Sequence, residues 1–598
     1  AATPTGGHRD RVRWARARAS ERLEALPPFW IAFAVTLTET IAEGILAVPI
    51  AVAGMGPIAG IALLIGLGLV NVITIAAIVE AITRTGRMRY GETYLGSLVT
   101  EHIGQSGALL FGVVLFVGGL VTLLAYSLGF AYQLGDATGI APATWVALLL
   151  VINVAVLWRG DLDATVATAL AIGAINISLI LVICAIGLTH FDVARLQATG
   201  TAGEGIGPIA LAAGVIFLAY FGHASTANTA KVVLRADPSG RSLLTGSVTA
   251  IVVVIAVLVL GVVAINGAVP ADRLAAETGT AFTPLSEVAG PLVSVLGSVY
   301  TVLAIGLGSI YCSLALYNQV REKLPAAATR PTGSVSRVRR AVAHPRGRWL
   351  IAMTPTILSF VAIEAIVVVG AGSFVESLGV VGTLTVPLLA GVFPMLLFAA
   401  ARRRGELVPK PALRVIGHPL VVGVMTALLT AAILVYGTFI WDDLLRRALA
   451  LVIGGATAVV SVMAVARGAF RPRSVVELRV DGEQVRTVRV SLVVDGHARP
   501  AEATWTTRDR SEPGAAAGDR LRRVDDVAEV DVPLPLGHPQ EIRVWSHAVG
   551  GDDESTAWPV TASVVGGAEG IRTLSLDTDG IGGATLEAAT VRFALGRE

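Results

Sequence analysis

Thr38-Glu39-Thr40-Ile41-Ala42-Glu43-Gly44-Ile45-Leu46-Ala47-Val48-Pro49 decides how this chain is read. It lies inside an apolar run from about Phe29 to Met55, and roughly 20 apolar residues are enough to cross a bilayer. Two carboxylates, a glycine and a proline stand where a plain anchor would carry leucine. An ionisable side chain at that depth costs several kcal/mol, of order 3, unless something pairs with it, hydrates it or protonates it, so it reads as functional. A broken helix is tolerated there only where protein, water or a ligand takes up the freed backbone groups. Half-helices of this kind build substrate sites near the midplane of secondary transporters.

Working outward, the whole chain has the composition of a membrane protein. Of its 598 residues, 54% are hydrophobic and 15% charged, too apolar a balance for an ordinary soluble domain. The net charge of +2 conceals an asymmetry: residues 472–598 carry 14 basic against 21 acidic side chains, and residues 1–471 carry 32 against 23. A basic membrane part and an acidic, less apolar tail meet near Arg471-Pro472-Arg473. Three regions follow: a basic arm over 1–28, a transmembrane domain over 29–471 and a β-rich domain over 472–598. Cys184 and Cys312 both lie in apolar runs and read as buried free thiols. The arm, rich in arginine from His8 to Leu26, lacks the apolar core and cleavage site of a signal peptide and reads as lying against anionic headgroups.

Apolar runs bounded by charge, glycine or proline give twelve candidate spans, at about 29–55, 57–80, 107–134, 143–158, 163–188, 208–235, 242–267, 284–323, 348–370, 378–401, 419–441 and 446–467. Their even-numbered connections hold twenty basic residues, among them Arg84, Arg87, Lys231, Arg235, Arg330, Arg337, Arg402, Arg403 and Arg404; the odd-numbered ones hold four, Arg195, Arg273, Arg446 and Arg447. By the positive-inside rule the N-terminal arm, the basic connections and the tail are cytoplasmic, in a multi-pass plasma-membrane protein.

A second interruption stands at Ala219-Tyr220-Phe221-Gly222-His223, followed by Ser225, Thr226 and Asn228. Interrupted first and sixth helices, separated by four ordinary ones, are the arrangement of an inverted five-helix repeat with halves at about 29–188 and 208–401. The expected fold is therefore an all-α polytopic membrane protein of about twelve helices, a 5+5 inverted repeat with broken helices 1 and 6. Residues 472–598 change to period two in Val475–Val480, Val488–Val494, Ala528–Val532 and Ile542–Trp545, with turns at Asp481-Gly482 and Asp495-Gly496. That is a soluble β-sandwich-like domain. Ser511–Gly518 reads as a flexible loop, and His538, His547 and Asp552-Asp553-Glu554 lack the spacing of metal ligands and read as solvated.

Ile41-Ala42-Glu43-Gly44-Ile45-Leu46-Ala47-Val48-Pro49 resembles the first-helix motif of the amino acid/auxin permease family, within the amino acid–polyamine–organocation superfamily. Glu80, Phe221-Gly222-His223 with Arg235-Ala236-Asp237-Pro238, Pro284–Pro291 and Ser373–Leu384 running on to Val392-Phe393-Pro394 are similar to further family segments in the same order. The resemblance covers about 29–441 and implies an inverted-repeat carrier of amino acids, coupled to H+ or Na+. Two residues depart from it: the family commonly has glycine at the position of Ala42 and a small residue at that of Glu43.

Physical chemistry assigns roles beside the resemblance. The end of the half-helix beginning near Gly44, with Ala42 and Ile45, offers N–H groups to a substrate carboxylate. Carbonyls near Ala219, Tyr220, Phe221 and Gly222 suit an ammonium, and Tyr126 has a hydroxyl to donate to the carboxylate. For proton coupling the candidates are Glu39, Glu43 and His223, with Glu364 behind them. Ser309 and Ser313 are the candidates for an ion site, which Cys312 between them weakens for sodium. The leading reading is an importer of amino acids by H+ symport, with no cofactor and no nucleic-acid partner. The alternatives are a Na+-coupled or amine/polyamine carrier, or an amino-acid-sensing receptor whose tail meets a partner of its own. No nucleotide loop, metalloprotease motif or nucleophile elbow is found, so an enzyme is not expected.

Overall fold

The computed structural model describes residues 26–41, 43–90, 95–159, 166–198, 205–324, 345–410, 413–482, 486–508, 522–534, 540–550, 555–565, 571–577, 580–586 and 590–595. Ala42, the arm up to residue 25, the arginines between 325 and 344, the Ser511–Gly518 loop, His538 and Asp552-Asp553-Glu554 lie outside the described residues.

The first span is split into α1 (Pro28–Ile41) and α2 (Gly44–Ala53), which meet at 48°. Next come α3 (Pro57–Thr83), a connecting helix α4 (Leu95–Ile103), α5 (Gln105–Thr138), α6 (Pro142–Arg159) and α7 (Val166–Leu188). The sixth span is α8 (Gly207–Ala219) with α9 (His223–Ala236), and the seventh is α10 (Arg241–Ala268). The eighth is shorter than the sequence implies. Gly290, at φ 93°, cuts off α11 (Phe282–Ala289), and the span begins with α12 (Pro291–Thr301) and continues through a π-segment, Val302–Gly306, into α13 (Leu307–Lys323). The ninth is α14 (Pro345–Val368). The tenth holds a discontinuity that the sequence reading missed: α15 (Phe374–Leu384) meets the stretch Pro387–Arg404, a π-segment followed by α16 (Phe393–Arg404), at 42°. Then follow α17 (Pro419–Val435) and α18 (Leu444–Ala466). Among the described residues nine helices are long and apolar enough to cross a membrane, eleven if each bent pair is one span, and α6 is a shorter apolar helix beside them.

The packing has an internal order. α1 packs on α9 as α8 packs on α2; α1 on α7 as α8 on α15; α5 on α6 as α13 on α14; and α5 on α15 as α12 on α7. Three further contacts, α3 with α10, α5 with α13 and α6 with α14, pair spans that such an exchange of halves swaps with each other. An inverted five-helix repeat has this contact pattern.

After Ala466 the described residues form twelve strands in two sheets. One runs β11 (Ile581–Leu586), β7 (Gln540–Val549), β1 (Arg473–Asp481), β2 (Thr487–Val494), β3 (His497–Arg499), with β5 (Arg522–Arg523) beside β2 and β8 (Ser555–Ala557) beside β7. The other runs β10 (Ile571–Leu574), β9 (Val560–Val565), β12 (Thr590–Leu595), β6 (Val527–Pro533), β4 (Thr504–Thr507). Val476, Leu478, Ile542, Val544, Trp505 and Phe593 fill the space between them. Strand alternation would put the other rows, Arg473-Val475-Glu477 of β1 and Arg543-Trp545-His547 of β7, into water. Instead all six are buried, because the helical domain covers that face.

Candidate functional site

Just before the break in the first span, side-chain hydroxyls compete for the helix's own carbonyls. Thr38 and Thr40 donate back to the Ala34 and Thr36 carbonyls, at 2.7 and 2.6 Å, a bond that bends helices. Beyond the break, carbonyls of α2 are satisfied from outside: Ala281 N–H donates to Leu46 O and the Asn266 amide to Pro49 O, both at 2.9 Å. In the sixth span Gly222 N–H turns back to Tyr220 O at 2.9 Å, ending one half-helix before His223 opens the next. Gly222 is small of necessity, since a methyl group there would sit 2.3 Å from Thr40 Oγ1.

Glu43 is 7% exposed and accepts a hydrogen bond from the Tyr126 hydroxyl, 3.1 Å from Oε2. Tyr300 of α12, fully buried, donates its hydroxyl to the Ile41 carbonyl at 3.2 Å, so spans three and eight both reach the break. One turn earlier Glu39 is exposed, hydrogen-bonded by Asn228, and Tyr311, itself 42% exposed, lies within electrostatic reach. These polar side chains share the half of the molecule that holds the basic connections. Every residue of α2, on the other half, is buried.

The structure brings Glu43 and Tyr126 together, leaves Glu39 one turn away beside Asn228, and takes several other sequence candidates elsewhere. Gly44 packs on Leu258 and Ala219, and Ile45 on Gly261, as core contacts. The Tyr220 hydroxyl donates to Leu64 O of α3 at 3.1 Å. His223 faces α3 as well: its Nε2 lies 2.9 Å from Thr74 Oγ1, its ring stacks on half-buried Phe221, and its Nδ1 is buried without a partner among the described residues. Ser309 donates to Gly306 O and receives the Asn153 amide of α6 at 3.2 Å, turning toward the fourth span and away from the first. Ser313 is fully buried one turn on, and Glu364 keeps one carboxylate oxygen buried without a hydrogen-bond partner among the described residues. The reading from sequence gave no role to Tyr300, Asn153, Asn228, Thr74 or Tyr311; a polar residue inside an apolar run was the available signal for each.

Near the odd-numbered connections lies a polar cavity of about 410 Å³ lined by Asp136, Arg273, Glu277, Thr283 and Glu287 among others. There Arg273 bonds Glu287 at 2.7 Å and Glu277 at 3.2 Å, and its hydrogen bond holds the Glu287 carboxyl below the ordinary carboxylate value.

A second concentration of buried charge lies where the sheet meets the helix ends. Arg543 pairs with Glu406 at 2.9 Å and with Glu101 of α4, while Arg473 reaches Glu406 at 3.4 Å and donates to the Arg404 carbonyl. Arg404 in turn binds Glu541 at 2.7 Å, Arg403 binds Asp495 at 2.8 Å, and Arg84 donates to the Gly496 carbonyl at 3.1 Å. Burial alone would raise the Glu101 carboxyl, but Arg543, His102 and Arg473 hold it down to about 2. Burial raises Glu406 and outweighs the same arginines. His547 is not on a solvated loop: it is fully buried in β7, 2.9 Å from Glu477 and stacked on Trp545 at 3.9 Å. No group of three His, Cys, Asp or Glu fit to hold a metal occurs among the described residues.

No family model matches the chain, and no curated protein does. Among solved structures it aligns with two crystal structures of the Eremococcus coleocola manganese transporter, one of a mutant and one in complex with an aromatic bis-isothiourea substituted compound. The identities are 14% and 15% and the TM-scores 0.45 and 0.41, over 73% and 72% of this chain and 94% of each of those chains. Likeness of that degree leaves function to be read from this chain's own residues.

Proposed function

We propose that the chain is a secondary active transporter that imports amino acids across the plasma membrane by H+ symport, as its resemblance to the amino acid/auxin permeases implies. The observation that carries this reading is the buried carboxylate of Glu43 at the helix break, held by the Tyr126 hydroxyl. An ionised Glu43 occupies Tyr126 and repels a second carboxylate; a protonated one releases the hydroxyl to a substrate carboxylate and removes the repulsion. Proton and substrate therefore bind with positive coupling, of order 1–3 kcal/mol for linked sites.

A carrier of amines or polyamines is the second reading, favoured by one observation: among the described residues no basic side chain pairs with Glu43. A cationic substrate would then supply the counter-charge. Purified full-length protein in proteoliposomes separates the two. An imposed pH gradient should drive accumulation of a labelled amino acid without Na+, in competition with other amino acids and not with amines. Absence of counterflow for every amino acid and amine would refute the transporter reading.

A further inference from the structure

We propose that Tyr300 is a positioning residue that, with Tyr126, ties the interrupted first span to the wall formed by the third and eighth spans, and that the charge on Glu43 sets the strength of this tie. The inference rests on the transporter reading for its purpose and on the contacts at the break for its content.

Ile41 closes α1, so its carbonyl has no partner within the helix. An unpaired carbonyl in an apolar interior is costly, and a fully buried phenol answers it at 3.2 Å. Two residues on, Glu43 takes the Tyr126 hydroxyl at 3.1 Å. The two bonds bracket the interruption and come from spans that are packed on each other. Both rings are fixed: Tyr300 stands edge-on to Phe282 at 5.8 Å, and the Tyr126 ring lies against Gly308, where a methyl group would come within 2.8 Å of it. The wall therefore holds its hydroxyls in place while the first span makes or breaks the bonds.

The two bonds differ in kind. The one to Ile41 is neutral, whereas the one to an ionised Glu43 is charge-assisted and about twice as strong. A proton on Glu43 weakens the second and leaves the first, so Tyr300 keeps the break in place while Tyr126 responds to charge. The titratable groups that face Glu43 are Tyr126 and Tyr300, with Cys312 beside the former and Cys184 beside the latter. Glu39 lies one turn away beside Tyr311, and His223 is turned to Thr74.

The test is hydrogen exchange by mass spectrometry on the full chain in nanodiscs at one pH, followed in peptides covering residues 36–50. Tyr300→Phe and Tyr126→Phe should each speed exchange there about 3–10-fold, the worth of one hydrogen bond, with distant helices unchanged. In a Glu43→Gln background Tyr126→Phe should add less than about twofold, while Tyr300→Phe keeps its full effect. An equal effect of Tyr126→Phe in both backgrounds overturns the role of charge. Unchanged exchange in Tyr300→Phe overturns its positioning role, and should that variant not fold, the Tyr126→Phe and Glu43→Gln pair still decides the matter of charge. Counterflow on the same preparations judges transport separately: a protein that shows the expected exchange and moves no substrate refutes the carrier and keeps the tie.

Discussion

Gly382→Ala inserts one methyl group where two helices touch backbone to backbone. The new Cβ would stand 1.8 Å from the Gly214 carbonyl oxygen, and on the facing side a Cβ at Gly214 would stand 2.7 Å from Gly379 O. Carbon and oxygen in contact sit about 3.3 Å apart, so α8 and α15 must separate by about 1.5 Å. No side chain can rotate to absorb the insertion, since the atoms opposite belong to the main chain. α8 ends at Ala219, where the sixth span breaks, and a displacement of about 1 Å at a reacting site costs on the order of 100-fold in rate. Uptake per folded molecule in proteoliposomes should therefore fall about 100-fold, with thermal unfolding followed by size-exclusion chromatography to count the folded fraction. Folded Gly382→Ala protein with wild-type uptake would refute the claim that this crossing positions the site.

Glu43→Gln, which copies the protonated form, should keep substrate binding and exchange, lose concentrative uptake and flatten the pH dependence of binding; accumulation with an unchanged pH profile would move the coupling to Glu39 or His223. At the sheet, Asp495 and Gly496 take φ of 51° and 67°, the two positive angles of a tight hairpin turn, and a methyl group on Gly496 would meet Arg402 O at 1.7 Å. Gly496→Ala should accordingly detach the β domain from the helix ends, read as faster proteolysis between residues 466 and 473. Arg543→Met leaves Glu101 and Glu406 with only Arg473 between them and should weaken docking by about 3–5 kcal/mol, read in the same assay. Glu101 is depressed from 4.5 to about 2, so its contribution to docking is complete above pH 4.5 and lost as pH falls toward 2, while Glu406, raised by burial, works in the opposite sense. Arg543→Met should flatten the acid loss of docking between those limits.

The helical plan was open to reading because hydropathy and helix breakers are local properties. The interruptions at Gly44 and Gly222 follow from polar and small residues standing in apolar runs, and the Asp495-Gly496 turn from the backbone angles those two residues tolerate. The tenth-span discontinuity carried local signs in Thr383, Thr385 and Pro387, but with no charged residue among them the stretch read as one apolar span. What the sequence could not disclose depends on a second layer. Charged residues at alternate positions of β1 and β7 look solvated until helix ends are laid over them. His223 looked like a neighbour of Glu43, and its facing partner, Thr74, is set by how the sixth span rotates against the second. Tyr300 showed in sequence only as a hydroxyl inside an apolar run, because its partner, a main-chain carbonyl, leaves no mark in the side-chain pattern.

The buried arginines of the sheet bear on the order in which the chain can be completed. Arg473 and Arg543 need carboxylates from Glu101 and Glu406, and the Gly496 turn needs Arg84 and Arg402. These groups lie some 300 residues apart in sequence, in the connection after the second span and at the end of the tenth, and they form one surface only after both are in place. A chain whose tenth span fails to settle beside the second would present Trp545, Val475 and two uncompensated guanidinium groups to solvent on a sheet that is otherwise folded. Docking of the tail is thereby conditional on the assembly of two distant parts of the membrane domain.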